Sequence, residues 1–318
     1  MGTNIIGLGV FPLLLLYAFS HRYNTGEFEK EFFSKRQTQT LKGILIIFVF
    51  FHHFVELNNC EGPIFGVYFF AQFTIALFFL ISGYTTALGY SRLQGKPDLK
   101  KMWIKRSWRL YLPIVIFTLP TNNFLTAILF FFVLSDIAYS LFDSDKKRLA
   151  FIFAGNMIYP FTLKLLGFGD WWYDDILTFF MGVALFMYKE QITSFLKKKI
   201  YWVIMPVGTI LTVISIYLAI MKLPFDYSTM IRSTTMTVII VLFLQRLNLK
   251  SRLFYFVGEY TWEIFLTHQI IIRLMQRIFS KNILVLISSI VLTILSAVIV
   301  NKSVLKLKTI IEKRRMKN

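Results

Sequence analysis

Apolar residues in this chain fall in long blocks separated by short polar connections. The blocks lie near 4–20, 39–57, 64–90, 109–121, 123–142, 149–166, 172–188, 200–221, 228–246, 256–278 and 282–300. A helix needs about 20 apolar residues to cross the hydrocarbon of a bilayer. The pattern therefore predicts an all-α protein, a polytopic integral membrane helix bundle with about eleven transmembrane helices. The connections are short, and no stretch is left over for a soluble domain.

Lys and Arg alternate between these connections. One set carries Arg22, Lys30, Lys35, Arg36 and Lys42; then Arg92 through Arg109; then Lys146, Lys147 and Arg148; then Lys197 to Lys199; then Arg246, Lys250 and Arg252; and the tail from Lys302. The intervening connections 58–63, 119–123, 167–172 and 222–227 hold almost none. Cytoplasmic loops carry the excess of basic residues, so the N-terminus is expected outside and the C-terminus inside. Arg277 and Lys281 break the alternation ahead of the last span.

Composition changes the picture little. Hydrophobic residues make up 56% of the 318, and mean hydropathy is +0.61, more apolar than a soluble domain requires. The net charge of +18 lies in the loops between spans, so no nucleic-acid partner is expected. Cys60 stands alone, which excludes a disulfide framework or a cysteine metal site. Residues 5–19 have no basic stretch before them and no small-residue cleavage site after them, so they are expected to remain as a first span.

Several residues break the apolar blocks. His53 follows Lys42 by eleven residues, which on a helix puts both on one face roughly 16 Å apart. An ionisable group inside a span is costly and points to function; His52 faces about 100° away from His53, and Glu56 is three residues beyond it. Lys105-Arg106-Ser107-Trp108-Arg109 sets two arginines on one helical face, suited to grip phosphate or to anchor on anionic lipid. Phe78-Phe79-Leu80-Ile81-Ser82-Gly83-Tyr84 places a small, hydroxylated patch in an aromatic block, where close helix packing is the plainer reading. Gly258 through His268 puts Glu263 and His268 in one span, five residues apart and facing different sides. The outer segment Asp170-Trp171-Trp172-Tyr173-Asp174-Asp175 suits a sugar, or the interfacial aromatic belt of any membrane protein.

In this order these elements resemble the acyltransferase 3 family of integral membrane acyltransferases. Lys42 and His53 match its Arg, ten residues, His spacing. Arg106 and Arg109 match its paired arginines. Phe78 to Tyr84 match its Phe-Phe-x-x-Ser-Gly-Tyr element. Trp172-Tyr173 with Phe180-Met181-Gly182 match its Trp-Tyr and Phe-x-Gly elements, and Gly258 to His268 its late Gly-to-His element. Lys stands at 42 where the family usually has Arg, which keeps charge and loses the planar fork. An extra span precedes the core, and no extracellular hydrolase-like domain is seen after it. The resemblance divides the chain into an extra helix and loop at 1–37, a membrane acyltransferase core at 38–301 and a basic tail at 302–318.

The resemblance implies an O-acetyltransferase in a bacterial plasma membrane, with acetyl-CoA as donor co-substrate and no metal. Arg106, Arg109 and Lys105, with Ser82, would hold the donor. His53, with Lys42 and Glu56, would carry the reaction, as general base or as acetylated nucleophile. Trp171, Trp172, Tyr173, Asp174, Glu263 and His268 would meet the acceptor, a bacterial glycan or lipid-linked oligosaccharide. The sequence neither requires nor forbids an oligomer. The alternative class is an export protein for a surface polysaccharide, which would be expected to show inverted halves; that symmetry is not seen.

Overall fold

In a computed structural model, the residues described are 22–23, 33–58, 65–93, 98–106, 123–196, 200–220, 228–244, 248–249 and 251–315. The expected spans at 4–20 and 109–121, Cys60 and Arg109 lie outside them, as do the side chains of Lys105 and Asp170. The described helices are α1 (Lys35–Leu57), α2 (Phe65–Ser91), α3 (Leu99–Arg106), α4 (Asn123–Leu141), α5 (Asp145–Leu165), α6 (Leu177–Met187), α7 (Lys189–Leu196), α8 (Tyr201–Ile220), α9 (Ser228–Leu244), α10 (Arg252–Glu259), α11 (Thr261–Ile278) and α12 (Asn282–Arg315). Two short strands, β1 (Arg22–Tyr23) and β2 (Asn248–Leu249), pair antiparallel with Arg22 opposite Leu249. Two residues are too few to show a strand period, so this departure from the all-α expectation left no trace in the pattern.

The protein is a helical membrane protein. Four described helices are long and apolar enough to cross a bilayer, at Lys35–Leu57, Phe73–Ser91, Phe124–Leu141 and Asn282–Ile310. Shorter apolar helices run at Leu177–Met187, Tyr201–Ile214 and Met230–Leu242. Among the described residues the count of eleven is thus not reached on length and apolarity. The expected span at 149–166 is a helix that begins four residues earlier, at Asp145, and so takes in Lys146 and Lys147. The expected span at 256–278 is two helices, α10 and α11, broken at Tyr260. The last helix does not stop near 300: α12 has 34 residues, roughly 51 Å, against about 30 Å of hydrocarbon. The boundary expected at 301 therefore falls inside a continuous helix.

Two close helix crossings set the architecture. Gly43 of α1 lies against Gly258 of α10: a Cβ on Gly43 would run into the Phe254 carbonyl, and one on Gly258 into the Gln39 carbonyl. Further along, Gln276 Nε2 of α11 donates to the Leu57 carbonyl at 2.7 Å. Contacts thus pair 43 with 258 and 57 with 276, so α1 runs parallel to α10 and α11. Gly83 and Gly182 do the same for α2 and α6, where added Cβ atoms would meet the carbonyls of Phe179 and Leu80. Thr178 Oγ1 donates to the Ala76 carbonyl at 2.7 Å in that same parallel sense. Between apolar helices in lipid, association rests on packing and interhelical hydrogen bonds, and small residues permit it. The Phe78–Tyr84 and Phe180–Gly182 elements are therefore two halves of one crossing.

The ends of α1 are fixed locally. Ser34 Oγ accepts from the Gln37 amide at 3.2 Å, as an N-cap does. Asn58 Nδ2 closes the other end on the Phe54 carbonyl at 2.8 Å. Phe50, Phe51 and Phe54 pack with Ile271, Ile272 and Met275 of α11 and with Val285 and Leu286 of α12. This apolar cluster holds the last two turns of α1 where the histidines lie.

Candidate active site

His53 lies four residues before the end of α1, roughly 6 Å along the axis. The helix starts at Lys35, so Lys42 is not at its mouth but seven residues inside. The spacing of Lys42 and His53 survives as an axial separation, and the two do not share a site. Lys42 stands beside the Gly43–Gly258 crossing, whereas His53 stands near the other end of the helix. The side chain of His53 is 23% exposed and that of Glu56 54%, so the imidazole is not sealed deep in the bundle.

His53 Nδ1 is 3.0 Å from Glu56 Oε2. Nδ1–H donates to the carboxylate, which orients the ring and leaves the Nε2 lone pair turned away from Glu56. His52 Nε2 is 4.0 Å from the same oxygen, and its ring meets that of His53 edge-on at 5.0 Å. His52, His53 and Glu56 bring one ligand-type atom each within 4.8 Å of the others, near enough to share a proton or a cation.

The neighbour that the linear order hides is His268. Its ring centroid is 5.1 Å from that of His53, tilted by 38°. His268 is 1% exposed and flanked by Phe50 at 6.4 Å and Phe265 at 6.0 Å. Its Nδ1 is 3.0 Å from the Ile264 carbonyl. A carbonyl only accepts, so Nδ1 carries the hydrogen and Nε2 carries the lone pair. That Nε2 is buried without a hydrogen-bond partner among the described residues.

Glu263 does not join this centre. Its Oε1 accepts from Asn301 Nδ2 of α12 at 2.7 Å, and it sits at the Gly258 end of α11. Glu263 and His268 were both expected to meet the acceptor beside the 170–175 segment. Instead α11 presents Glu263 to α12 and His268 to α1. Five residues on a helix turn the side chain by about 140°, so the two face different neighbours.

The aromatic segment also divides. Trp171 is exposed and Trp172 half-buried, their rings 5.3 Å apart. Tyr173 is 5% exposed and belongs to the core with Ile176 and Phe179, so it cannot stack on a sugar. Asp175 turns inward and accepts a hydrogen bond from Ser233 of α9. Arg232, buried in the same helix, is in electrostatic contact with Asp174 and Asp175. The aspartates expected to accept sugar hydroxyls thus tie the segment to α9.

At the end of the bundle where the basic connections emerge, Arg106 is held within the protein. Its Nη1 donates to Asp136 Oδ2 at 2.6 Å, with side chains 16% and 4% exposed. The guanidinium lies over Phe132 at 4.8 Å and Trp103 at 5.5 Å. Tyr90 donates its hydroxyl to the other oxygen of Asp136 and stacks on Tyr139 at 4.0 Å. Arg148 covers the far side of Tyr139 at 4.8 Å and donates to Asp145 at 2.8 Å and to the Phe142 carbonyl at 2.7 Å. A cavity of about 500 Å³ opens beside them, lined by Tyr90, Tyr139, Arg148, Phe186, Lys189 and Glu190 among others. Ser82 is half-buried next to Gly83, part of the α2–α6 crossing.

Sequence reasoning passed over Asp136 and Arg232. Both are ionisable residues inside apolar blocks, the same signal that singled out His53.

The chain belongs to the acyltransferase 3 family: the family model, described as an acyltransferase domain, matches residues 39–143 and 124–302. This covers both close crossings, the His53–His268 pair and the Arg106–Asp136 pair. No curated protein and no solved structure gives a significant match. The protein is a membrane acyltransferase by family.

Proposed function

We propose that this acyltransferase moves an acetyl group from cytoplasmic acetyl-CoA to a hydroxyl of an extracytoplasmic polysaccharide or lipid-linked saccharide in a bacterial plasma membrane. The observation that carries the reading is the His53–Glu56 pair, 3.0 Å apart near one end of α1. Glu56 fixes the tautomer, and Nε2 of His53 is the reactive nitrogen. In the transfer a C–O bond forms at the thioester carbonyl and the C–S bond breaks. The hydroxyl proton is taken up within the site, and CoA leaves as the thiolate.

The basic connections support this direction, because such loops belong on the cytoplasmic side. The cavity at that end is the site for the nucleotide part of the donor. It has a size usual for small-molecule sites, and the cations Arg148 and Lys189 line it for phosphate. Arg106, being paired with Asp136, holds the wall of this site, and Lys105 and Arg109 are its basic neighbours in the sequence. At the outer end Trp171 offers an exposed ring for a sugar face.

The test uses purified protein in proteoliposomes, with radiolabelled acetyl-CoA outside or inside and label transfer to a cell-envelope glycan extract as readout. His53→Ala should abolish transfer without loss of folded protein. Glu56→Gln should slow it by about 10²-fold or more, as loss of an oriented base does. Trp171→Ala should lower transfer to glycan and leave acetyl-CoA binding intact. Full activity of His53→Ala would refute the reading.

A further inference from the structure

We propose that His268 is the base of a second half-reaction, in which the acceptor hydroxyl takes the acetyl group from His53. This rests on His53 being the reactive residue, and it assigns the neighbouring imidazole a separate task. Three observations carry it. The two rings are adjacent, 5.1 Å between centroids. His268 spends its Nδ1–H on the Ile264 carbonyl of its own helix, so its other nitrogen is a fixed acceptor. That nitrogen is buried and has no hydrogen-bond partner among the described residues, although a buried polar atom is normally hydrogen-bonded. An apolar residue between Phe50 and Phe265 would fill the same space without that orphan. A proton donor that is present only during the reaction would supply the missing partner.

The chemistry explains why two imidazoles are useful. In the first step the His53 Nε2 lone pair attacks the thioester carbonyl, an N–C bond forms, the C–S bond breaks and CoA leaves as thiolate. The acetylimidazolium keeps its Nδ1 proton on Glu56, 3.0 Å away. An acetylated His53 has no lone pair left at Nε2, so it cannot be the base for its own deacylation. In the second step the acceptor oxygen attacks the acetyl carbonyl and gives its proton to His268 Nε2. The C–N bond breaks and its electron pair returns to His53 Nε2. His268 then releases the proton to water, and the CoA thiolate takes one up, so charge and atoms balance. A general base must lie within hydrogen-bond reach of the proton it takes, directly or through one water; of the other histidines, His52 approaches the Glu56 side of His53, where the acetyl group is not.

Purified protein is mixed rapidly with acetyl-CoA, with water as the only hydroxyl acceptor, and free CoA and acetate are followed. Wild type should release about one CoA per protein in a burst and then turn over slowly to acetate, the pattern of covalent catalysis. His268→Ala and His268→Gln should keep the burst, stall with acetyl on His53, and lose steady acetate production by roughly 10²–10⁴-fold. Hydroxylamine attacks without first losing a proton, so it should restore turnover to both His268 variants and leave His53→Ala inactive. A variant that is merely misfolded would lose the burst and would not be rescued. Steady turnover at the wild-type rate in either His268 variant overturns the proposal, as does loss of the burst without rescue in both. A wild type with turnover and no burst also overturns it while leaving His53 as a single-step base. Normal turnover by His53→Ala, or no consumption of acetyl-CoA by wild type, would instead bring down the reading of function beneath it.

Discussion

Replacing Arg106 by Met tests whether this arginine is a wall or a hand. Its guanidinium is 2.6 Å from Asp136, whose side chain is 4% exposed. Removing the cation leaves that carboxylate buried without its counter-charge, which typically costs about 3–5 kcal/mol. The Tyr90 hydroxyl still donates to Asp136 and softens the loss, so Arg106→Met is expected nearer the lower end. Asp136→Asn added to Arg106→Met removes the stranded charge and keeps an oxygen for Tyr90, so the double variant should recover most of the stability. Unfolding in mixed detergent micelles reports both changes, and titration with acetyl-CoA reports binding in the double variant. If Arg106 builds the wall, the recovered double variant binds acetyl-CoA within a few-fold of wild type. If it grips phosphate directly, affinity stays low, and the difference from wild type shrinks as salt screens the interaction. A single variant that costs less than about 1 kcal/mol, as for an exposed ion pair, would refute the buried-pair argument.

Other consequences are equally open to test. Gly258→Val forces a side chain into the Gln39 carbonyl, so α10 must move off α1; the cost expected for such overpacking is about 1–3 kcal/mol or more, and the His53–His268 alignment should suffer with it, read as lost activity in protein that still folds. With Cys60→Ser as background, Leu166→Cys should react with an impermeant reagent from outside the cell and Lys306→Cys only after permeabilisation; the reverse pattern would invert the topology. Prolonged dialysis against a chelator should leave acetyl transfer unchanged; loss of activity that zinc restores would make His52, His53 and Glu56 a metal site rather than a proton-handling one.

Local and summed properties of this chain are legible from its residues alone. Hydropathy over about 20 residues marks most of the helices, because the bilayer demands that length whatever the helix packs against. The alternation of Lys and Arg between connections orders them, and the parallel run of α1 with α10 and α11 agrees with that order. The ordered elements from Lys42 to His268 were enough to place the chain in its family, which the match over 39–302 bears out. Boundaries that depend on a backbone break, such as Tyr260 between α10 and α11, are lost when hydropathy is averaged over a span, because the Gly258–Glu263 stretch is short and lies between apolar turns. Partnerships emerge only once the helices are packed. His53 and His268 lie 215 residues apart, and nothing local to either points at the other. The same holds for Arg106 with Asp136 and for Asp175 with Ser233. An ionisable residue in an apolar block announces that it needs a partner, since hydrocarbon offers none. Which partner it finds depends on which helices touch, and here two glycine crossings, Gly43 on Gly258 and Gly83 on Gly182, fix that by letting backbones meet where any side chain would hold them apart.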